Sequence, residues 1–234
     1  MTRPRPAKAA RAALAALLGL SGVALAAPAA TAAPSFGPAH YGNGGHAYSG
    51  SGVWGGYVSQ GRNFTSITGG WTMPTVHCNS RNDLFAPWIG IDGYGSQTVE
   101  QTGVEASCAS GRPVYSGWYE MYPAPPVYFS NPVSAGDVFT ASVTTNGRGT
   151  YALKLTDVTK GWTQSTQKSL NARNVSAEAV IESPSQSYPS FSSLNFSDIV
   201  VNGQIFDAYY PQAIDSGPYT ETALQNGSFS IIPG

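Results

Sequence analysis

Charge is scarce in this chain: Asp, Glu, Lys and Arg make up 11% of its 234 residues, against about 25% in ordinary globular proteins. Histidine is scarcer still, with three in all, and Cys78 and Cys108 are the only cysteines. Each shortage excludes some chemistry. The Lys and Arg residues beyond residue 32 are scattered singly, whereas a nucleic-acid partner needs a basic footprint, so none is expected. A Ser-His or Cys-His nucleophile needs a histidine inside the folded body, and the sole candidate, His77, stands beside Cys78. No G-x-S-x-G elbow, Walker loop or dinucleotide fingerprint occurs. Two thiols and one adjacent histidine lack a fourth ligand at any recognisable spacing. Neither a metal nor another cofactor is expected, and acid and base work falls to carboxylates.

Long apolar runs are equally rare. The one example, residues 12–26, follows the basic residues Arg3, Arg5, Lys8 and Arg11 and precedes the small residues Ala30, Thr31 and Ala32. It is too short and alanine-rich to span a bilayer, so residues 1–32 are predicted to be a secretory signal peptide and the chain to be extracellular, with no stable membrane association. Its removal takes four of the 12 basic residues and none of the 13 acidic ones, moving the formal charge from -1 to 8 - 13 = -5. In an exported protein, Cys78 and Cys108 predict one disulfide. Residues 33–52, rich in Gly, His, Ser and Tyr, predict a flexible lead-in, with His40 and His46 in a disordered tail rather than a metal site. Residues 53–234 suffice for a single domain, expected to be a monomer.

What the chain has instead is strand signal. No run of ten or more residues shows helical periodicity free of Gly and Pro, while short runs rich in Val, Ile, Thr, Tyr and Trp recur between turn signals. Strands are predicted at 53–59, 64–72, 86–92, 98–104, 114–122, 138–145, 150–157, 177–183 and 198–210. Turns are predicted at Asn146-Gly147, Lys160-Gly161, Asn202-Gly203 and Asn226-Gly227. The fold class is therefore all-β, a sandwich of antiparallel sheets.

Side chains alternate across a strand. Trp88, Gly90 and Asp92 share one face; so do Ser116, Trp118, Glu120 and Tyr122; so do Glu178, Val180 and Glu182. Behind them lie Ile89 and Ile91, Tyr119 and Met121, Ala179 and Ile181. Tryptophans interleaved with carboxylates suggest a groove for an extended ligand, the lesser alternative being aromatics that cover neighbours and solvated acids.

W-I-G-I-D-G at 88–93, V-E-Q-T-G at 99–103, W-Y-E-M-Y-P at 118–123 and A-E-A-V-I-E at 177–182 resemble, in that order, motifs of the eqolisins, a family of glutamic peptidases. Trp54 resembles the tryptophan near the start of their mature domain. The resemblance covers roughly residues 53 to 205. It implies two curved, packed antiparallel sheets of the concanavalin or lectin-like kind, a concave face that binds a peptide, and secreted endopeptidase activity at acid pH on polypeptide substrates. Position by position it implies a catalytic pair of Gln101 and Glu182, with Trp54, Trp88, Asp92, Trp118, Glu120 and Tyr122 lining the groove.

In that scheme the glutamate takes a proton from water and returns it to the leaving amine, while the Gln101 amide stabilises the oxyanion. An acid optimum would follow if Glu178 or Asp92 must be protonated. Glu100 and Glu105 are expected to be nonfunctional. Asp92-Gly93 also suits a strand-end turn. The chain departs from the family at Ser116, often an aspartate, and at Ala179, often an aromatic. Its lead-in is shorter than a folded inhibitory prosegment needs. The rival readings are a glycoside hydrolase using Glu120 and Glu182, and a noncatalytic carbohydrate-binding module.

Overall fold

The computed structural model describes Met1 and residues 34–41, 47–49 and 53–234. The rest of the predicted leader, and His46, lie outside the described residues. Seventeen strands follow in chain order among those described. The first six are β1 (Ala39–Tyr41), β2 (Ala47–Ser49), β3 (Val53–Gln60), β4 (Ser66–Thr72), β5 (Leu84–Ile91) and β6 (Val99–Ser107). Next come β7 (Val114–Tyr122), β8 (Val127–Tyr128), β9 (Val138–Thr145), β10 (Thr150–Asp157), β11 (Trp162–Ser169) and β12 (Ser176–Ser183). The last are β13 (Leu194–Val201), β14 (Gln204–Ile205), β15 (Gln212–Ile214), β16 (Tyr219–Glu221) and β17 (Phe229–Pro233).

They form two antiparallel sheets. The first runs β1-β2-β3-β12-β5-β6-β7-β8, with β15 also on β3; the second runs β11-β10-β9-β4-β13-β17-β16, with β14 on β13. Between them lies the main core, where Ile89, Ile91, Val104, Ala177, Ala179 and Ile181 of the first sheet join Ile67, Phe139, Val143, Leu155 and Phe196 of the second. The expected faces hold: every core-side residue just named is odd in β5 and β12, the parity opposite to Trp88 and Glu178.

The strands predicted at 114–122, 138–145 and 150–157 are present with those bounds, and five others have ends shifted by up to three residues. The exceptions have physical reasons. β11 is an edge strand of Thr, Gln, Ser and Lys with mostly exposed side chains, so it carries no apolar alternation. The stretch predicted as one strand at 198–210 is broken: β13 ends at Val201, Asn202 (φ 48°) and Gly203 (φ 78°) make a two-residue turn into β14, and a 3-10 turn covers Phe206–Tyr209. Both central residues have positive φ, as a type I′ hairpin requires. Asn202 Oδ1 also accepts from the amides of Thr65 (2.7 Å) and Ser66 (3.1 Å), tying the turn to the start of β4.

Cys78 and Cys108 are bonded as a disulfide, joining the loop before β5 to the loop after β6. Asp83 reinforces that end of the sheet. Burial alone would raise its carboxyl, but hydrogen bonds from Ser187, Ser80 and Asn79 hold it below the ordinary range.

The lead-in differs most from the sequence expectation. Where 33–52 predicts an unstructured tail, residues 34–38 run extended across the first sheet and β1 pairs with β2. The Ala39 amide donates to Gly93 O at 3.0 Å. Its neighbour Phe36 is fully buried.

Candidate active site

Register builds this site. Across the first sheet, Val58 of β3 pairs with Glu178 of β12, Glu178 with Gly90 of β5, Gly90 with Gln101 of β6, and Gln101 with Glu120 of β7. These residues form one row on the face turned away from the main core. The next row carries Val180, Trp88, Gly103, Trp118 and Tyr128. Two glycines make the rows fit. A Cβ on Gly103 would stand 2.4 Å from Pro87 O and 2.6 Å from Trp88 Cβ, and one on Gly90 2.9 Å from the Trp88 ring and 3.2 Å from Gln101 Cβ. Trp88 therefore lies down against bare backbone, with its ring over Gly90, which pairs with both Gln101 and Glu178.

A satellite apolar cluster fills the same face. Trp54, Val58, Trp88, Trp118 and Val180 rise from the strands, and Phe36, Ala39, Tyr94 and Ile214 pack over them, with Tyr122 and Tyr128 at the margin. Trp54 meets Trp88 edge to face, with ring centroids 4.7 Å apart. Phe36 stacks on Trp118 at 4.2 Å and 8°. Gln101, Glu120, Glu178 and Glu182 are all fully buried beneath this layer. On the face where the sequence suggests a groove, Phe36 and Ala39 of the lead-in pack over the tryptophans.

Hydrogen bonds fix the amide of Gln101. Its Nε2 donates to Glu120 Oε2 at 3.0 Å and to Phe36 O at 2.5 Å. Glu120 in turn accepts from the Phe36 amide at 3.0 Å and from Ser35 Oγ at 2.7 Å. With both N–H bonds committed, the amide carbonyl Oε1 is the buried atom of Gln101 without a protein partner. Burial pushes the Glu120 carboxyl up to about 8, against the opposing hydrogen bonds from Ser35, Phe36 and Gln101. Glu178 is raised well above the ordinary range, chiefly by burial and further by the charges of Asp92 and Glu100.

The other sequence-predicted positions take varied places. Glu182 shares the face, but it pairs with Trp54 and Ala86 and stands two rows from Gln101. Four residues of strand rise separate the rows of Glu178 and Glu182, about 13 Å along the chain. Asp92 lies just past β5 with φ 65°. Its carboxylate accepts from the amides of Arg173 (2.8 Å), Asn174 (2.6 Å) and Val175 (2.8 Å), so it anchors the chain entering β12. This is the strand-end role that Asp-Gly also suggested. Tyr122 borders the cluster half-buried. Ser116, the departure from the family pattern, pairs with Glu105.

Glu100 points to the opposite face, where burial and then Asp92 push it up to about 9. Glu105, outside the strand predicted at 98–104, shares the face of Gln101, because β6 continues to Ser107 and carries residues 101, 103 and 105 on one side. Burial raises it to about 7, offset by a 2.8 Å bond from the Tyr128 hydroxyl. Phe36 was missed altogether from the sequence. Its one signal was an aromatic residue alone among Ala, Pro, Ser and Gly.

Among the described residues no group of three His, Cys, Asp or Glu is placed to hold a metal ion. Nor is any helix among them long and apolar enough to cross a membrane.

Comparison with known proteins extends the sequence resemblance. Aspergillopepsin-2 of Aspergillus niger is 28% identical over 129 residues, 46% of each chain, so the match spans about half the length of that curated relative. Scytalido-glutamic peptidase, solved with a transition state analog inhibitor, superposes with a TM-score of 0.69 at 23% identity, covering 77% of this chain and 98% of that one. Aspergilloglutamic peptidase from Aspergillus niger gives a TM-score of 0.54 at 21% identity over 65% of this chain and 99% of that one. These superpositions establish a shared sandwich fold. The Peptidase A4 family model matches residues 52–224, which takes in every row of the site: the chain belongs to the peptidase A4 family, the eqolisin glutamic peptidases.

Proposed function

We propose that this chain is a secreted endopeptidase that hydrolyses polypeptides at acid pH, with Gln101 and Glu178 as its catalytic pair and a catalytic domain beginning near residue 53. One observation carries the reading. Gln101 Nε2 donates to a main-chain carbonyl, Phe36 O, and its row holds two carboxylates, Glu120, which accepts from that same amide, and Glu178, on the far side of Gly90. Two strand spacings put the Cα atoms of Gln101 and Glu178 about 10 Å apart, a gap that a glutamine and a glutamate reach across. The motif match assigned the base to Glu182; register favours Glu178.

The chemistry follows from the groups. A water held by Gln101 Oε1 and the Glu178 carboxylate attacks the substrate carbonyl, and Glu178 takes its proton. The oxygen that becomes negative receives the Gln101 N–H, a donor already aimed by Glu120. Proton return from Glu178 to the leaving nitrogen completes hydrolysis. Acid pH suits Glu120, which is neutral well below its raised value of about 8. Glu178 must be ionised to act, and burial is the chief cause of its raised pKa. Opening the groove to water removes that cause and frees the base.

The disulfide and the acidic charge beyond residue 32 support export. The test is digestion of denatured casein at pH 3–4 and pH 7 by the unaltered protein, Glu178→Gln and Glu182→Gln. We expect digestion at acid pH that falls at least a thousandfold in Glu178→Gln and less than tenfold in Glu182→Gln. The reverse ranking moves the base to Glu182. Equal digestion by all three ends the assignment of the base to either glutamate, and no digestion by any of them, or release of reducing sugar from a polysaccharide, ends the peptidase reading.

A further inference from the structure

We propose that Trp118 selects an aromatic side chain on the residue whose carbonyl Gln101 receives, and that the chain carries its own example: the Phe36–Gly37 bond is a cleavage site of this enzyme in cis. The proposal rests on Gln101 as the oxyanion donor. Its specificity element and its target bond are separate from that role.

Residues 35–37 are held as a substrate strand is held. Both backbone polar groups of Phe36 are held, its carbonyl accepting from Gln101 at 2.5 Å and its amide donating to Glu120 at 3.0 Å. Ser35 Oγ adds a second bond to the same carboxylate at 2.7 Å. The ring lies flat on Trp118, 4.2 Å between centroids, and is fully buried. Aromatic stacking of this kind favours Phe or Tyr over a small residue by more than buried area alone. Sequence explains the rest of the pose. Gly37 puts no side chain on the leaving side, and Pro38 disfavours helical backbone at Gly37, keeping the segment extended. Nothing else between Ala33 and Ala39 is large, so Phe36 is the sole anchor there.

The step balances as an ordinary hydrolysis. Water oxygen bonds to the Phe36 carbonyl carbon as Glu178 accepts its proton, and the carbonyl oxygen takes the negative charge against Gln101. The C–N bond to Gly37 then breaks, its electron pair passes to nitrogen, and Glu178 returns the proton. The products are a Phe36 carboxyl group and a free amine on Gly37.

The full chain is brought to acid pH and followed by intact mass and amino-terminal sequencing. A new terminus at Gly37 is expected in the unaltered protein, absent in Glu178→Gln and at least tenfold slower in Phe36→Ala. In parallel, quenched fluorescent peptides that differ only at the residue on the carbonyl side are compared. Phe and Tyr peptides are expected to exceed the Ala peptide by about ten- to a hundredfold in kcat/KM, and Trp118→Leu to flatten that preference. Trp118 is buried, so if that variant does not fold, the peptide series on the unaltered protein decides alone. Casein digestion without a Gly37 terminus, or an Ala peptide cut as fast as the Phe peptide, overturns the proposal and leaves Gln101 and Glu178 standing. No casein digestion at all removes the reading on which it rests.

Discussion

The two faces of β12 are equally buried and chemically opposite. All eight of its residues are inaccessible, yet Ala177, Ala179 and Ile181 belong to the core against the second sheet, while Val180 packs among the tryptophans and Phe36 on the other face, which Glu178 and Glu182 share. On the first face burial is repaid by apolar contact at about 25 cal/mol per Å². On the second, burial works against ionisation: Glu178 is raised well above the ordinary range, and on the same face of the sheet Glu120 of β7 is pushed to about 8. The same strand thus supplies stability from one side and reactive groups from the other. Covering a site with a short segment of chain, rather than with another sheet, leaves that cover removable.

Substitutions on the two faces should separate activity from stability. Gln101→Ala is expected to lower kcat by a hundred- to a thousandfold, the usual loss of an oxyanion donor, while shifting the thermal midpoint by a few degrees. Steady-state kinetics beside thermal melts would show it; a large stability loss with unchanged kcat would erase the distinction. Ile89→Ala, one residue from Trp88 on the opposite face, should do the converse. It should cost about 2–5 kcal/mol of unfolding free energy by leaving a cavity, with kcat of the folded fraction within about threefold. Denaturant unfolding measures the first and active-site-normalised rates the second.

The smallest effect per step is in the pH dependence. The folded pKa values of Glu100, Glu120 and Glu178 lie above those of unfolded chains. Between an unfolded value of about 4.5 and folded values of about 8 to 9, the native state binds more protons than the unfolded one. Stability from these groups is therefore full below about pH 4.5 and falls as pH rises, by at most about 1.4 kcal/mol per pH unit for each group still protonated in the fold. Urea midpoints from pH 4 to pH 9 should decline steadily, and Glu100→Gln should make the decline shallower. A maximum at neutral pH would contradict it.

Strand alternation alone separated Trp88 from Ile89 and Glu178 from Ala179, because period two is written in the residues themselves. Asn-Gly pairs located the tight turns for the same local reason. Register was not legible, since it depends on which strands meet. The four motifs point to Gln101 and Glu182; proposing Glu178 instead rests on Gly90 pairing with both Gln101 and Glu178, which no single strand reveals. Glu105 lies beyond the strand predicted at 98–104, because the continuation of β6 to Ser107 is set by pairing with β7. The lead-in failed for another reason: its small, polar composition signals disorder only when no groove is there to receive it.

The placement of β2 and β15 along β3 has a consequence for aggregation. Tyr48 of β2 pairs with Val53, and β15 pairs with Val58 through Gly56, so the strand beside Glu178 does not present a long run of free main-chain donors and acceptors. A cut between Phe36 and Gly37 falls before β1, and the β1-β2 hairpin stays attached to β3. Processing at that point would uncover the groove without baring a sheet edge to which a second molecule could add a strand.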